Sequence, residues 1–207
     1  MSGDNLKYII GIVGPLACGK GLVADYLVTH YGFVTFSLSF IVHQEVKNRG
    51  LSPTTRGLLQ DTGDDLRQKY GGDILAKRSI NFLEQEGSHR VVLEGIRNPG
   101  EVIYLKTLPN FVLMAVEADR SLRYQRLIER NKPWDPKDWQ GFLKIDERDL
   151  GKGQVADGQQ VGKCIEIADY SISNNKDVKS LYDEVEKVID EIVVDRPHFK
   201  EIFHKTE

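Results

Sequence analysis

The sequence predicts an α/β fold, a parallel sheet wound with helices on both faces. Three observations predict it. Short apolar runs recur at Tyr8–Val13, Phe33–Phe36, Arg90–Glu94, Phe111–Val116 and Tyr170–Ser173. They are continuous rather than alternating, as expected of strands covered on both faces. Helical patterns fill the gaps, the clearest placing Leu181, Val185, Val188, Ile189 and Ile192 on one helix face. The first run passes directly into Gly14-Pro15-Leu16-Ala17-Cys18-Gly19-Lys20-Gly21 and then into the amphipathic stretch from Leu22 to Leu27. In such a fold ligands bind beyond the carboxyl ends of the strands.

The first junction carries the most chemistry. A strand, a glycine-bounded loop ending in lysine and a helix form the setting of a phosphate-binding loop. Glycines let backbone amides curl around an anion, and the new helix aims its positive end at the same point. Lys20 adds a full charge there; a lysine in a first helical turn opposes the helix dipole unless an anion neutralises it. Residues 14–22 are therefore the expected ATP contact. Gly21 stands where Ser or Thr usually binds magnesium, so the metal is expected on phosphate oxygens and water, with carboxylates one shell out. Cys18, beside backbone amides and Lys20, is expected to be a reactive thiolate that bound nucleotide protects.

The third run ends in Glu94-Gly95-Ile96-Arg97-Asn98-Pro99. Asn98 and Pro99 read as the cap and first position of a helix, which leaves Glu94 and Arg97 unexplained. Glu94 is expected near the magnesium water shell, and Arg97 near the transferring phosphate. After the fourth run, Arg123, Arg126 and Arg130 recur at spacings that align them on one helix face. Glu129 is the only acid within that stretch, so anionic phosphates are the expected partners, with Arg126 and Arg130 as catalytic cations. Residues 131–160, a helix over Trp139–Leu150 framed by proline and glycine breaks, read as a lid whose Arg148 reaches the phosphates on closure.

With 207 residues and 40% hydrophobic content, the chain suits one domain with its own core. A formal net charge of −3 argues against a general nucleic-acid binder. No apolar run approaches the length of a membrane span. Two cysteines make no disulfide framework and fit a cytoplasmic protein. Residues 195–207 read as a peripheral tail.

These segments together resemble the nucleoside monophosphate kinase group of P-loop kinases. The likeness extends to archaeal adenylate-kinase-like proteins of unassigned function and to the amino-terminal domain of fungal deoxycytidylate deaminases. It is carried by Ile12–Leu27, Leu59–Arg67, Leu75-Ala76-Lys77-Arg78, Gly95–Glu101, Ala115–Arg130 and Gly158–Asn175. Ala17 and Leu22 depart from the adenylate kinase pattern, where Gly and Thr are usual. The last segment also resembles the end of dephospho-coenzyme A kinases, which implies that Asn174 and Asn175 lie near the adenine.

The resemblance implies sheet order 2-3-1-4-5, ATP as phosphoryl donor with magnesium, and a small nucleotide as acceptor, in a monomer or homodimer. It also makes residues 37–88 the acceptor-binding excursion. Ser37 and Ser39 open that excursion, and Arg56, Arg67 and Arg78 are its cations. A nucleoside or deoxynucleoside monophosphate is the expected acceptor. The alternatives are a dephospho-coenzyme A kinase-like enzyme, which needs a carboxylate base, and a nucleotide-binding regulatory or ATPase module.

Overall fold

The computed structural model describes residues 8–204 apart from residues 54 and 134 and the side chain of Arg56. Five parallel strands form one sheet in the order β2-β3-β1-β4-β5. They are β1 (Tyr8–Val13), β2 (Val34–Ser37), β3 (Arg90–Glu94), β4 (Phe111–Glu117) and β5 (Tyr170–Ser173). Both the fold class and the strand order expected from the sequence are found.

The continuous apolar runs have a direct cause. Within β1, Ile10 and Ile12 face one layer while Ile9 and Val13 face the other; β4 splits likewise into Val112, Met114, Val116 and Phe111, Leu113, Ala115. On the first face pack α1 (Lys20–Tyr31) and α9 (Val178–Asp195), the latter through the five residues read from its periodicity. The other face is covered by α2 (Ser39–Asn48), α3 (Arg56–Tyr70), α4 (Ile74–Gln85), α5 (Pro99–Leu105) and α8 (Val161–Glu166). Two further helices, α6 (Arg120–Arg130) and α7 (Trp139–Leu150), lie between β4 and α8. At Gly11 the layers come so close that a β-carbon would meet Ile96, Phe111 and Leu113 at 2.9 Å.

Several boundaries move, with β2 ending at Ser37 and β4 at Glu117. β2 begins at Val34, because Gly32 in left-handed conformation ends α1 and the Phe33 amide still donates to Leu27 O. The tail is not peripheral. Pro197–Glu201 forms a 3-10 turn, and Phe199 and Ile202 are buried in the core with Tyr8, Tyr31 and Phe33. The Tyr8 hydroxyl donates to Glu201 and to the His198 carbonyl. These two buried side chains tie the segment to the core; residues 205–207 lie outside the described ones.

Candidate functional site

Gly14 and Gly19 bound the loop after β1 because no side chain fits at either. A β-carbon would lie 2.2 Å from the Val116 carbonyl oxygen at Gly14, and 2.2 Å from Asn174 Nδ2 at Gly19, whose φ is 103°. Between them Ala17 takes a left-handed φ of 61°. Two outward carbonyls hold this shape. Leu16 O accepts from Arg123 Nη1 at 3.0 Å, and Cys18 O accepts from Asn174 Nδ2 at 2.8 Å. In a planar trans peptide the N–H points opposite to the C=O. Anchoring those two carbonyls outward therefore aims the amides of Ala17 and Gly19 into the loop. Lys20 Nζ lies inside it, donating to Gly14 O and Pro15 O at 2.8 Å each.

The loop forms one wall of a cavity of about 830 Å³ at the carboxyl ends of the strands. Gly14, Pro15, Leu16 and Lys20 line it with Ser37, Glu94, Gly95, Arg97 and Arg130, and His43, Thr55, Leu59, Asp149 and Val161 are among its other walls. A side cavity of about 140 Å³ shares Leu59, Gly95 and Arg97 and extends past Ser39 and Gln60 to Arg67. Burial pushes the Glu94 carboxyl above the usual carboxylate range; the Lys20 charge opposes this and Asp25 reinforces it.

Arg97 owes its place to Glu101. This fully buried carboxylate accepts from the Arg97 and Asn98 amides at 2.7 and 3.0 Å, and from Arg67 Nε and Nη2 at 3.0 and 2.8 Å. The Asn98–Glu101 pair is a capping box whose glutamate is bridged to α3. The segment before α8 closes over the same turn: Gln160 N donates to Arg97 O, and Asn98 Nδ2 to the Ala156 and Gly158 carbonyls.

On the far side, α7 docks against α6. Asp146, fully buried, takes a two-pronged bond from Arg123 and a contact from Arg120 at 3.2 Å. Asp135 holds Arg130 in a second two-pronged pair at 2.7 and 2.8 Å, which keeps its own carboxyl below the usual range. Asp149 Oδ2 lies 3.9 Å from Arg97 Nη1.

No family model matches the chain. The UPF0200 protein of Pyrococcus horikoshii is 30% identical over 196 residues, covering 91% of this chain and 100% of the relative. The chain belongs to the UPF0200 family. Among solved structures, TT1252 of Thermus thermophilus superposes with a TM-score of 0.56 at 19% identity, over 90% of this UPF0200 chain and 98% of the other. The shikimate kinase of Acinetobacter baumannii, solved with shikimate, gives 0.53 at 18%, over 92% and 95%. These likenesses show the fold alone, the parallel sheet with helices on both faces that this chain shares with both structures.

Measured against the sequence, the UPF0200 site keeps some residues and reassigns others. The loop, Lys20, Ser37, Glu94, Arg97 and Arg130 meet at the main cavity, and Ser39, Arg67 and Arg97 at the side cavity. Several expectations are corrected. Cys18 is fully buried rather than accessible from the site. Asn174 is buried as well, its amide spent on Cys18 O and Arg126 Nη2, so it braces the loop instead of facing a base. Asn175 is exposed and accepts from the Asp119 amide, linking the ends of β4 and β5. Arg67 is neutralised by Glu101 and Asp64. Arg78 contacts Glu45 and the Tyr70 ring on the outer side of α2 and α4.

Arg126 donates to Asn174 and to Lys176 O and lines neither cavity. Arg148 is exposed, its charge felt by Asp64 of α3. Gly21 and Leu22 open α1 with nothing within 4 Å of a β-carbon at Gly21. The Arg56 side chain falls outside the described residues. The arginine stripe is real, but its partners lie within the protein: Asp146 and Asn174, distant in sequence, for Arg123 and Arg126, and the nearby Asp135 for Arg130. Sequence reasoning missed Glu101 and Asp146 because each meets an arginine on a different helix; only the spacing Phe142-Asp146-Asp149, one inner face of α7, signalled either of them.

If Asn174 is a brace, truncation unseats the loop without removing a ligand contact. Asn174→Ala is expected to cost about 1–3 kcal/mol of stability, the cost of leaving the buried Cys18 carbonyl without its donor. Chemical denaturation measures it, and a loss below about 0.5 kcal/mol would place the loop's support elsewhere.

Proposed function

We propose that this chain transfers the γ-phosphoryl group of ATP to a small phosphorylated acceptor, a nucleoside or deoxynucleoside monophosphate. One observation carries the reading: Lys20 and the loop residues Gly14, Pro15 and Leu16 line one cavity with Arg97, Arg130 and Glu94. Phosphoryl transfer needs positioning and cations around the equatorial oxygens, and no covalent enzyme intermediate. Lys20 would serve the β- and γ-phosphates, and Arg97, at the junction of the two cavities, would meet the phosphoryl group in transit. Arg130 would stabilise the donor phosphates after loosening from Asp135.

The donor set fits magnesium held mainly by phosphate oxygens and water. Among the described residues no group of three or more His, Cys, Asp or Glu side chains forms a metal site, and Gly21 offers space but no hydroxyl. Glu94 would hold one water of the shell. When bound, the ion would neutralise charge on the phosphate chain.

A second reading is favoured by a specific observation. With Arg67 locked onto Glu101 and Asp64 and Arg78 on the outer surface, few cations among the described side chains remain for an acceptor phosphate. A hydroxyl acceptor such as dephospho-coenzyme A needs instead a carboxylate base, and Glu94 beside Lys20 would supply it.

A panel of nucleoside and deoxynucleoside monophosphates and dephospho-coenzyme A, scored for ADP release from magnesium-ATP, tests both. Release stimulated by monophosphates is the expected result. Stimulation by dephospho-coenzyme A alone selects the second reading, and none with any acceptor leaves a nucleotide-binding module.

A further inference from the structure

The guanidinium of Arg123 joins three parts of the molecule that the sequence keeps far apart. Nε donates to Ala118 O at the end of β4 (3.1 Å), Nη1 to Leu16 O in the phosphate loop (3.0 Å) and to Asp146 Oδ1, and Nη2 to Asp146 Oδ2 at 2.9 Å. Arg123 is 3% exposed and Asp146 is fully buried. The Phe142 ring, one turn before Asp146 on α7, lies 5.5 Å from the guanidinium carbon. A rigid planar fork of this kind cannot follow one partner without leaving another.

We propose that Arg123 is a positioning residue that couples nucleotide binding at the phosphate loop to the docking of α7; the proposal rests on the reading of that loop as a nucleotide site. The argument runs through a single nitrogen. Nη1 fixes the Leu16 carbonyl outward, and the planar peptide then aims the Ala17 amide inward, where an anion is met. The same nitrogen is bonded to the carboxylate that seats α7. Undocking α7 leaves Arg123 a buried charge facing only carbonyls, which is costly, and frees its fork to rotate away from Leu16. An anion that needs the inward Ala17 amide thereby favours the docked helix, and by linkage the docked helix favours the anion to the same degree.

The remaining contacts of Asp146 support the coupling. Its second partner, Arg120, is 44% exposed, so Arg123 carries the buried part of the seat. Lysine would keep the charge of Arg123 but not the reach: one ammonium cannot span Ala118 O, Leu16 O and both oxygens of Asp146. Arg123→Lys therefore separates charge from coupling. Asp146→Asn keeps the shape of the seat and removes its charge.

The test uses the full chain and the β,γ-imido analogue of ATP with magnesium, with affinity read by calorimetry and α7 read by amide hydrogen exchange over Trp139–Leu150. In the unaltered chain the analogue is expected to slow exchange across α7 by about tenfold. In Arg123→Lys, affinity falls by a similar factor of about ten, and whatever analogue binds no longer protects α7. Asp146→Asn is expected to do the same, and it carries the test together with the unaltered chain if the lysine variant does not fold. Binding by the unaltered chain with no change in α7 exchange overturns this proposal alone, as does an Arg123→Lys chain that binds and protects normally. No binding by the unaltered chain overturns both the proposal and the nucleotide reading beneath it.

Discussion

Lys20→Ala is expected to lower phosphoryl transfer by a factor of about 10²–10³, the effect of removing one positioned charge from a transition state that gathers negative charge. The fold should survive. Among the described residues Lys20 bonds to Gly14 O, Pro15 O and, weakly, Cys18 Sγ, all within its own loop, while the braces that shape that loop come from Arg123 and Asn174. Turnover should thus fall with the unfolding midpoint nearly in place. Steady-state kinetics and thermal melts on the same preparation separate the two effects. Turnover within about threefold of the unaltered chain, against the hundredfold or more that such a charge is worth, would remove Lys20 from the chemistry.

The second large effect falls on stability. Glu101→Ala should cost about 3–5 kcal/mol, because it strands the Arg67 guanidinium in the protein interior. Arg67 is 3% exposed and its other acid, Asp64, meets only Nη1. The same substitution frees the Arg97 and Asn98 amides, which the carboxylate holds at 2.7 and 3.0 Å. Glu101→Gln keeps an oxygen for one of these sets of donors and should cost less. Urea denaturation of both variants decides the matter: equal losses would mean that the oxygen kept by glutamine contributes nothing and that the lost charge accounts for the whole effect.

The contrast between Lys20 and Arg67 shows where the sequence was informative. Lys20 could be read because its function is local: strand, loop and helix are consecutive, and the spacing of Gly14, Gly19 and Lys20 is itself the device. The sheet was legible for a similar reason, since burial on both faces leaves continuous apolar runs. Arg67 looked like a solvated cation waiting for a phosphate because its partner, Glu101, is on another helix across a cavity wall. Arg123 and Arg126 share this difficulty, their partners being Asp146 and Asn174. A charge pattern along one helix says which residues share a face, not what the fold lays against it. Asn174 failed in the opposite sense: it was expected near the loop's ligand, and the fold puts it one layer beneath.

The tail has a consequence for how the chain acquires its structure. Tyr8 opens the central-sheet strand β1, yet its hydroxyl is satisfied by His198 and Glu201, 190 and 193 positions later, and Phe199 sits against its ring with centroids 5.1 Å apart. Contacts of such separation are costly in loop-closure entropy and form late. During synthesis the first strand can pair with β3 and β4 long before the residues that seal its lower end have emerged. Nascent chains released short of Phe199 would expose the aromatic surface of Tyr8, Tyr31 and Phe33, the kind of surface by which incomplete folds aggregate or are recognised for degradation.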